Sequence, residues 1–169
     1  MKKHTVGIIG GTISGNRGAE AMLVTAIGKV REKFPEAEIK VFSYYPGQDR
    51  VLVNQPYVDI LSCKPISLVF RFFPFADLEW MFNRIGVRLP DRFLPRVIRV
   101  LRTCDVLVDI SGVSFVDGRE IFLPFNILTI WPAMLLGIPI VKLAQALGPF
   151  TNPINRIAAK IFLPHCNRV

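Results

Sequence analysis

Cysteine and histidine are scarce in this 169-residue chain: Cys63, Cys104 and Cys166, with His4 and His165. The cysteine spacing fits neither a metal cluster nor a redox pair. An odd number of thiols without a secretion signal points to reduced cysteines in the cytoplasm. The start Met1-Lys2-Lys3-His4 is basic, but Gly10 and Gly11 cut short the apolar run that follows, which suits a first strand and not a signal peptide. Acidic residues are also few, 13 against 21 Lys and Arg, for a net charge of +8. That excess suits an anionic substrate, an acidic partner or a membrane surface, without choosing among them. Internal repeats and low-complexity segments are absent. With 51% hydrophobic and 20% charged residues, disorder is excluded, and the length suffices for one α/β domain with a sizeable core.

A long unbroken apolar run is missing too. Ile121 to Val141 has no charge and is long enough to span a bilayer, yet it holds Pro124, Asn126, Pro132, Gly137 and Pro139. The Gly137-Ile138-Pro139 break divides it into a buried helix and a buried parallel strand. Both common phosphate motifs are likewise missing. The glycines after the first strand do not follow G-x-G-x-x-G, and the next strand, Ile39 to Ser43, runs into Tyr44 and Tyr45 with no acid at its end to hold a ribose. No Lys followed by Ser or Thr succeeds the last glycine, so the loop is not a P-loop.

What is present is a strand, a glycine loop and a helix in sequence. Val6 to Ile9 reads as a buried strand, and Gly10, Gly11, Gly15 and Gly18 crowd the loop with Ser14 and Asn16. Ala21, Val24, Ile27, Val30 and Phe34 then recur at helical spacing. This order makes the first βα unit of a parallel α/β domain. Glycine accepts positive φ and lets a ligand approach the backbone, where the helix end favours an anion or a hydroxyl-rich group. A single glycine would indicate only a tight turn. Four glycines with Asn16, Arg17 and Glu20 around them favour a ligand site.

Further along, Ala37 to Ser43 forms a second strand, Pro46 to Asp49 a polar loop and Val58 to Leu61 a short third strand. Pro65 to Arg102 holds an aromatic stretch from Phe70 to Phe82, broken by Pro74. Arginines recur at 84, 88, 92, 96, 99 and 102. On a continuous helix they would share one face, although Pro90 and Pro95 interrupt it. The region reads either as helices packed on the sheet with a solvated basic face, or as a surface that meets lipid. Cys104 to Ser111 is a buried strand. Asp109, Ser111, Gly112, Ser114 and Asp117 either line a cleft beyond its carboxyl end or, for Asp109 and Ser111, satisfy local backbone groups. Pro139 to Leu143 is the next strand, and Asn152 caps a helix reaching Phe162 with Pro153 at its first position. Cys166 to Val169 reads as the start of another strand.

Three strand-to-loop junctions thus stand together: G-T-I-S-G-N-R-G-A-E-A-M, D-V-L-V-D-I-S-G-V-S-F-V-D and G-I-P-I-V-K-L-A-Q-A-L-G-P-F. In this order they resemble the amino-terminal half of the polysaccharide pyruvyl transferase family, which shows a G-N-x-G-x-E-A loop, an aspartate strand ending in a glycine cluster, and a G-x-P-V-V strand ending in Gln-x-x-G-P. The resemblance runs from Val6 to about Val169. It implies transfer of a pyruvyl group from phosphoenolpyruvate to a sugar of a cell-surface polysaccharide, without cofactor or metal. The implied fold is α/β, a Rossmann-like parallel sheet forming one half of a GT-B-like two-domain architecture. Residues 1–169 would be the amino-terminal domain, followed by a second. The implied substrate-binding residues are Gly11, Gly15, Asn16, Gly18 and Glu20 in the first loop, Gly112 and Asp117 in the second, and Gln145 and Gly148 in the third. Of these, Asp117 and Gln145 would offer hydrogen bonds to sugar hydroxyls.

The Arg and His residues that hold phosphoenolpyruvate in the family lie mainly in the other half, so the general acid and base are unassigned here; His4 and His165 are poorly placed for either role. The implied partners are phosphoenolpyruvate and a saccharide acceptor, often lipid-linked in this family, with peripheral contact at the inner face of the membrane and no nucleic acid. The sequence departs from the family at Gly112-Val113-Ser114, where only the first glycine of the cluster survives; a β-branched residue there would resist positive φ or close approach. A GT-B-like glycosyltransferase half and a non-catalytic module docking saccharide or membrane are the alternatives.

Overall fold

A computed structural model describes residues 3–53 and 55–168. Met1 and Lys2 of the basic start, and Val169 at the other end, lie outside the described residues. The elements are β1 (Thr5–Ile9), α1 (Arg17–Lys33), β2 (Glu38–Ser43), α2 (Pro46–Leu52), β3 (Val58–Ser62), α3 (Pro65–Ser67), a π turn (Leu68–Phe72), α4 (Phe73–Arg84), a 3-10 turn (Asp91–Phe93), α5 (Arg96–Leu101), β4 (Val106–Asp109), β5 (Val113–Val116), a 3-10 turn (Glu120–Phe122), α6 (Leu123–Leu135), β6 (Ile140–Lys142), β7 (Ala146–Gly148), α7 (Pro153–Phe162) and a last 3-10 turn (Leu163–His165).

Five strands form one sheet in the order β3-β2-β1-β4-β6. Each pairing is parallel. Successive strand residues point to opposite faces, and both faces here are apolar. Ile8, Val41, Ile60 and Val108 pack with Leu23 and Ile27 of α1 on one side. Ile9, Phe42, Leu61, Leu107 and Ile140 pack on the other with Phe72, Ile98, Ile130 and Phe162. A sheet buried on both faces by crossover helices is the Rossmann-like, doubly wound arrangement. At the far edge Arg168 forms a parallel bridge with Val141, the first step of the strand expected there. The short strands β5 and β7 pair as a second, two-stranded sheet that the sequence did not suggest.

Several local readings are corrected. The buried stripe of α1 is Leu23, Ala26 and Ile27 with Val30 packed beside it, so Ile27 and Val30 of the apolar spacing hold while Ala21 and Val24 are exposed. The expected polar loop after β2 is the helix α2, entered through Pro46, and its Asp49 is fully buried. The arginines from 84 to 102 do not share a helix. Gly86 turns the chain with φ +75° after α4, and Pro90 and Pro95 precede separate short helical segments. Arg102 is no part of a solvated face: it lies buried between Glu79 and Asp91, at 3.4 Å from each.

The aromatic stretch divides. Leu68, Phe72 and Ala76 enter the core while Val69, Phe70, Trp80 and Met81 remain exposed. The helix widens to the π turn just where Pro74, lacking an N–H, cannot donate to the Phe70 carbonyl. As expected, Ile121 to Val141 is split at Gly137, with α6 before it and β6 after. Among the described residues no helix is long and apolar enough to cross a membrane. All three cysteines are free. Burial pushes the Cys104 thiol up to about 12 and the Cys63 thiol higher, which leaves both unreactive at neutral pH.

Lys142 is the surprise of the buried β6. Its Nζ donates to Asp109 Oδ2 on the neighbouring β4, with both side chains essentially without solvent contact. Removing one member of such a pair leaves a buried charge uncompensated. Lys142→Met is expected to cost about 3–5 kcal/mol in urea-induced unfolding, and adding Asp109→Asn should restore part of the loss. A double variant no more stable than Lys142→Met would show that pairing is not the source.

Candidate functional site

The strand order reverses between β1 and β4, and in open parallel sheets ligands bind beyond the carboxyl ends of the strands at that point. A cleft of about 640 Å³ lies there. Its walls are the loops after β1 and β4, the residues after β2, and the start of α6. The two strand ends come very close: a Cβ on Gly10, at φ +88°, would sit 2.6 Å from the Ser111 backbone nitrogen. Only glycine permits that approach.

The loop after β1 is held from within the protein. The carboxyl group of Asp49 accepts from Thr12 Oγ1 at 3.1 Å, from the Ile13 and Ser14 backbone N–H groups at 3.1 and 2.9 Å, from Ser14 Oγ at 2.9 Å and from Ser43 Oγ. The end of α1 is also satisfied internally. Asn16 is its N-cap, and its side-chain oxygen accepts from the Gly18 and Ala19 N–H groups at 2.9 and 3.3 Å. The N–H groups of Ile13, Ser14, Gly18 and Ala19 are therefore already engaged within the protein.

The remaining lining is largely aromatic: Tyr44, Tyr45, Phe122 and Phe125 line the cleft with Asn126, while the Ser14 and Ser111 hydroxyls there donate to Asp49 and Asp109. Arg119 is the one cationic side chain on it among the described residues, stacked 5.7 Å over Phe122. Among the described residues no carboxyl group, histidine or cysteine lines the cleft. Tyr44 packs on Phe125 with ring centroids 5.0 Å apart, and its buried hydroxyl has no hydrogen-bond partner among the described residues. Burial, and secondarily Cys63 and Asp109, raise that phenol well above its ordinary value.

The structure brings Gly15, Asn16, Gly18 and Gly112 together on this cleft. It does not bring the other expected residues there. Gly11 is buried against Ile110 and Leu23. Glu20 borders a separate groove between α1 and the segment around Leu52 to Tyr57. Gln145 is engaged internally: its Oε1 accepts from Ser114 Oγ at 2.7 Å and its Nε2 donates to the Asp109 and Leu143 carbonyls. Gly148 is the buried end of β7. Asp109 and Ser111 do satisfy local groups, since Asp109 Oδ1 accepts from both the Ser111 N–H and its hydroxyl, while Ser111 also reaches the cleft.

The Gly112-Val113-Ser114 departure is accommodated. Positive φ is required at Gly112 (+76°) and not at Val113, which begins β5 and projects, 38% exposed, onto the cleft. Its side chain narrows the cleft without straining the backbone. Sequence reasoning missed Asp49, Arg119, Phe122, Phe125 and Asn126. Tyr44 and Tyr45 were within reach, because they directly follow a parallel strand.

No protein-family model matches the chain, and no curated protein matches it.

Asp117 lies off the cleft. Its Oδ2 accepts from the Thr151 and Asn152 N–H groups at 2.7 and 3.2 Å and from the Thr151 hydroxyl, and its Oδ1 accepts from Asn155 at 3.0 Å. These bonds, Thr151's hydroxyl first and Asn155 next, lower the carboxyl from 3.8 to about 2. A carboxyl lowered by folding contributes stability that is present above its ordinary value and is lost as pH falls toward about 2. Melting temperature is expected to fall across that window in the parent, and Asp117→Asn should be less stable at neutral pH with a flatter acid arm. Parallel acid arms in the two proteins would contradict this role.

Proposed function

We propose that the chain is the amino-terminal half of a transferase of the polysaccharide pyruvyl transferase kind, in which the cleft outside β1 and β4 receives a saccharide acceptor. The observation that carries this reading is the character of the cleft. Four of its loop N–H groups are engaged by Asp49 and Asn16, and aromatic faces, the Tyr45 side chain and the Asn126 amide line much of the space, where the Ser14 and Ser111 oxygens can still accept. Aromatic faces and neutral polar groups suit a sugar better than a nucleotide phosphate. Asn16, Gly18 and Gly112, which belong to the motifs of the resemblance, all lie on this cleft. Arg119 is placed to attract the carboxylate or phosphate of phosphoenolpyruvate, since guanidinium pairs with both geometries.

The reaction requires a proton at the enol carbon and removal of protons from the sugar hydroxyls, with phosphate leaving. Among the described residues the cleft lining holds no carboxyl group, histidine or cysteine, so the acid and base come from a second Rossmann-like half that closes the cleft in a GT-B-like manner. His4, beside Asp105 at the amino end of β1, and the exposed His165 do not line the cleft. The same lack of acid and base favours one rival, a saccharide-docking module without catalysis.

Protein carrying both halves, given phosphoenolpyruvate and a saccharide acceptor, is expected to release inorganic phosphate and form a pyruvate ketal detectable by NMR. The present chain alone should form none. Arg119→Gln should lower kcat/KM for phosphoenolpyruvate by about tenfold to a hundredfold, in line with loss of one charge-assisted contact of ~1.5–3 kcal/mol, at unchanged melting temperature. Saccharide binding without any consumption of phosphoenolpyruvate would favour the docking module.

A further inference from the structure

A second concavity lies at the β3 edge of the sheet. Arg50 reaches it from the last turn of α2, Ser62 from the end of β3, Ser67 and Arg71 from α3 and the π turn, and Arg96 from the start of α5. The space is about 150 Å³. Liquid water occupies ~30 Å³ per molecule, so a tetrahedral anion fits with room to spare. Among the described residues no carboxyl group lines it. Arg50 is fixed in place, donating from Nε and Nη2 to the Ile60 carbonyl at 3.2 and 2.9 Å. Arg96 is fixed by Asp59, at 3.0 and 2.9 Å from the two carboxyl oxygens. Arg71 has no acceptor among the described residues, and neither serine hydroxyl has a partner there. Three arginine side chains therefore line the space, with Asp59 paired to one of them.

The segment that supplies Ser67 and Arg71 also turns apolar side chains outward. Ile66, Val69 and Phe70 are 67%, 45% and 68% exposed. Ser67 and Arg71 are four residues apart, and so are Ile66 and Phe70, so two adjoining stripes of one helical segment present an anion pocket and an apolar surface side by side. A freely soluble anion would make no use of the apolar stripe. A phosphate at a bilayer surface meets both, because basic groups engage the headgroup while apolar side chains enter the interface.

We propose that this pocket seats the phosphate of an anionic phospholipid while Ile66, Val69 and Phe70 enter the interface. The proposal shares with the transferase reading only the expectation of a membrane-facing surface and is independent of the chemistry in the cleft. It is tested without any activity measurement, by cosedimentation of the chain with phosphatidylcholine vesicles containing phosphatidic acid. The chain is expected to be retained. Arg71→Gln should weaken retention about fivefold, the effect of the ~1 kcal/mol a basic side chain contributes at an anionic surface, and Phe70→Ser should weaken it as well. Both side chains are exposed, so the fold should survive, which circular dichroism checks. Lys160→Gln removes the same charge from α7, the helix before the Arg168 bridge at the β6 edge, and should leave retention unchanged. Equal losses from Lys160→Gln and Arg71→Gln would mean diffuse attraction and overturn the proposal. Saturable binding of inorganic phosphate that Arg71→Gln abolishes, with no retention on vesicles, would overturn it too.

Discussion

The buried carboxyl group of Asp49 sets the character of the candidate site. A buried acidic side chain is tolerated only when its oxygens are hydrogen-bonded, and here donors come from Thr12, Ile13, Ser14 and Ser43. The bonds run both ways in consequence: they make the burial of Asp49 affordable and they hold the loop between β1 and α1 against the end of β2. With Asn16 closing the first turn of α1, the Gly18 and Ala19 N–H groups at the positive end of that helix meet an internal oxygen. The cleft that remains is shaped by backbone but furnished by side chains.

That distinction separates this domain from the nucleotide-binding members of its architecture. In those, glycines expose backbone N–H groups to a pyrophosphate. Here Gly10 serves a packing purpose, allowing β1 and β4 to end in contact. Beneath the cleft, Asp109 joins the strands electrostatically, accepting from Lys142 on β6 and from Ser111. The ends of β1, β4 and β6 are thus locked together by one close approach and one buried ion pair. A rigid rim of this kind orients the neutral groups above it.

The strands were legible because a sheet buried on both faces needs nearly continuous apolar runs, and Val6 to Ile9 or Val106 to Val108 cannot be solvated. The break at Gly137 and the Asn152 cap were legible for local reasons, as both are set by residues within a turn of them. What was illegible depended on distant partners. Asp49 looks like a turn residue because Pro46-Gly47 precedes it, and only the fold puts it 3 Å from a loop 35 positions earlier. Lys142 interrupts an apolar strand without any local sign that Asp109 lies across from it. The first-loop motif residues largely reached the cleft, while Asp117 and Gln145 were claimed by neighbouring backbone and side-chain groups. Short polar side chains near strand ends always have these two uses, and spacing alone does not separate them.

Parallel pairing also fixes how the two concavities relate. All five strands run in one sense, so every carboxyl end lies on one rim of the sheet. The cleft opens between β1 and β4, and Ser62 of the arginine pocket ends β3, two strands from β1. Neighbouring strands are spaced ~4.8 Å apart, which places the strand ends serving the two sites roughly 10–12 Å apart along the rim. The two concavities therefore open on one rim and are built on different strand ends.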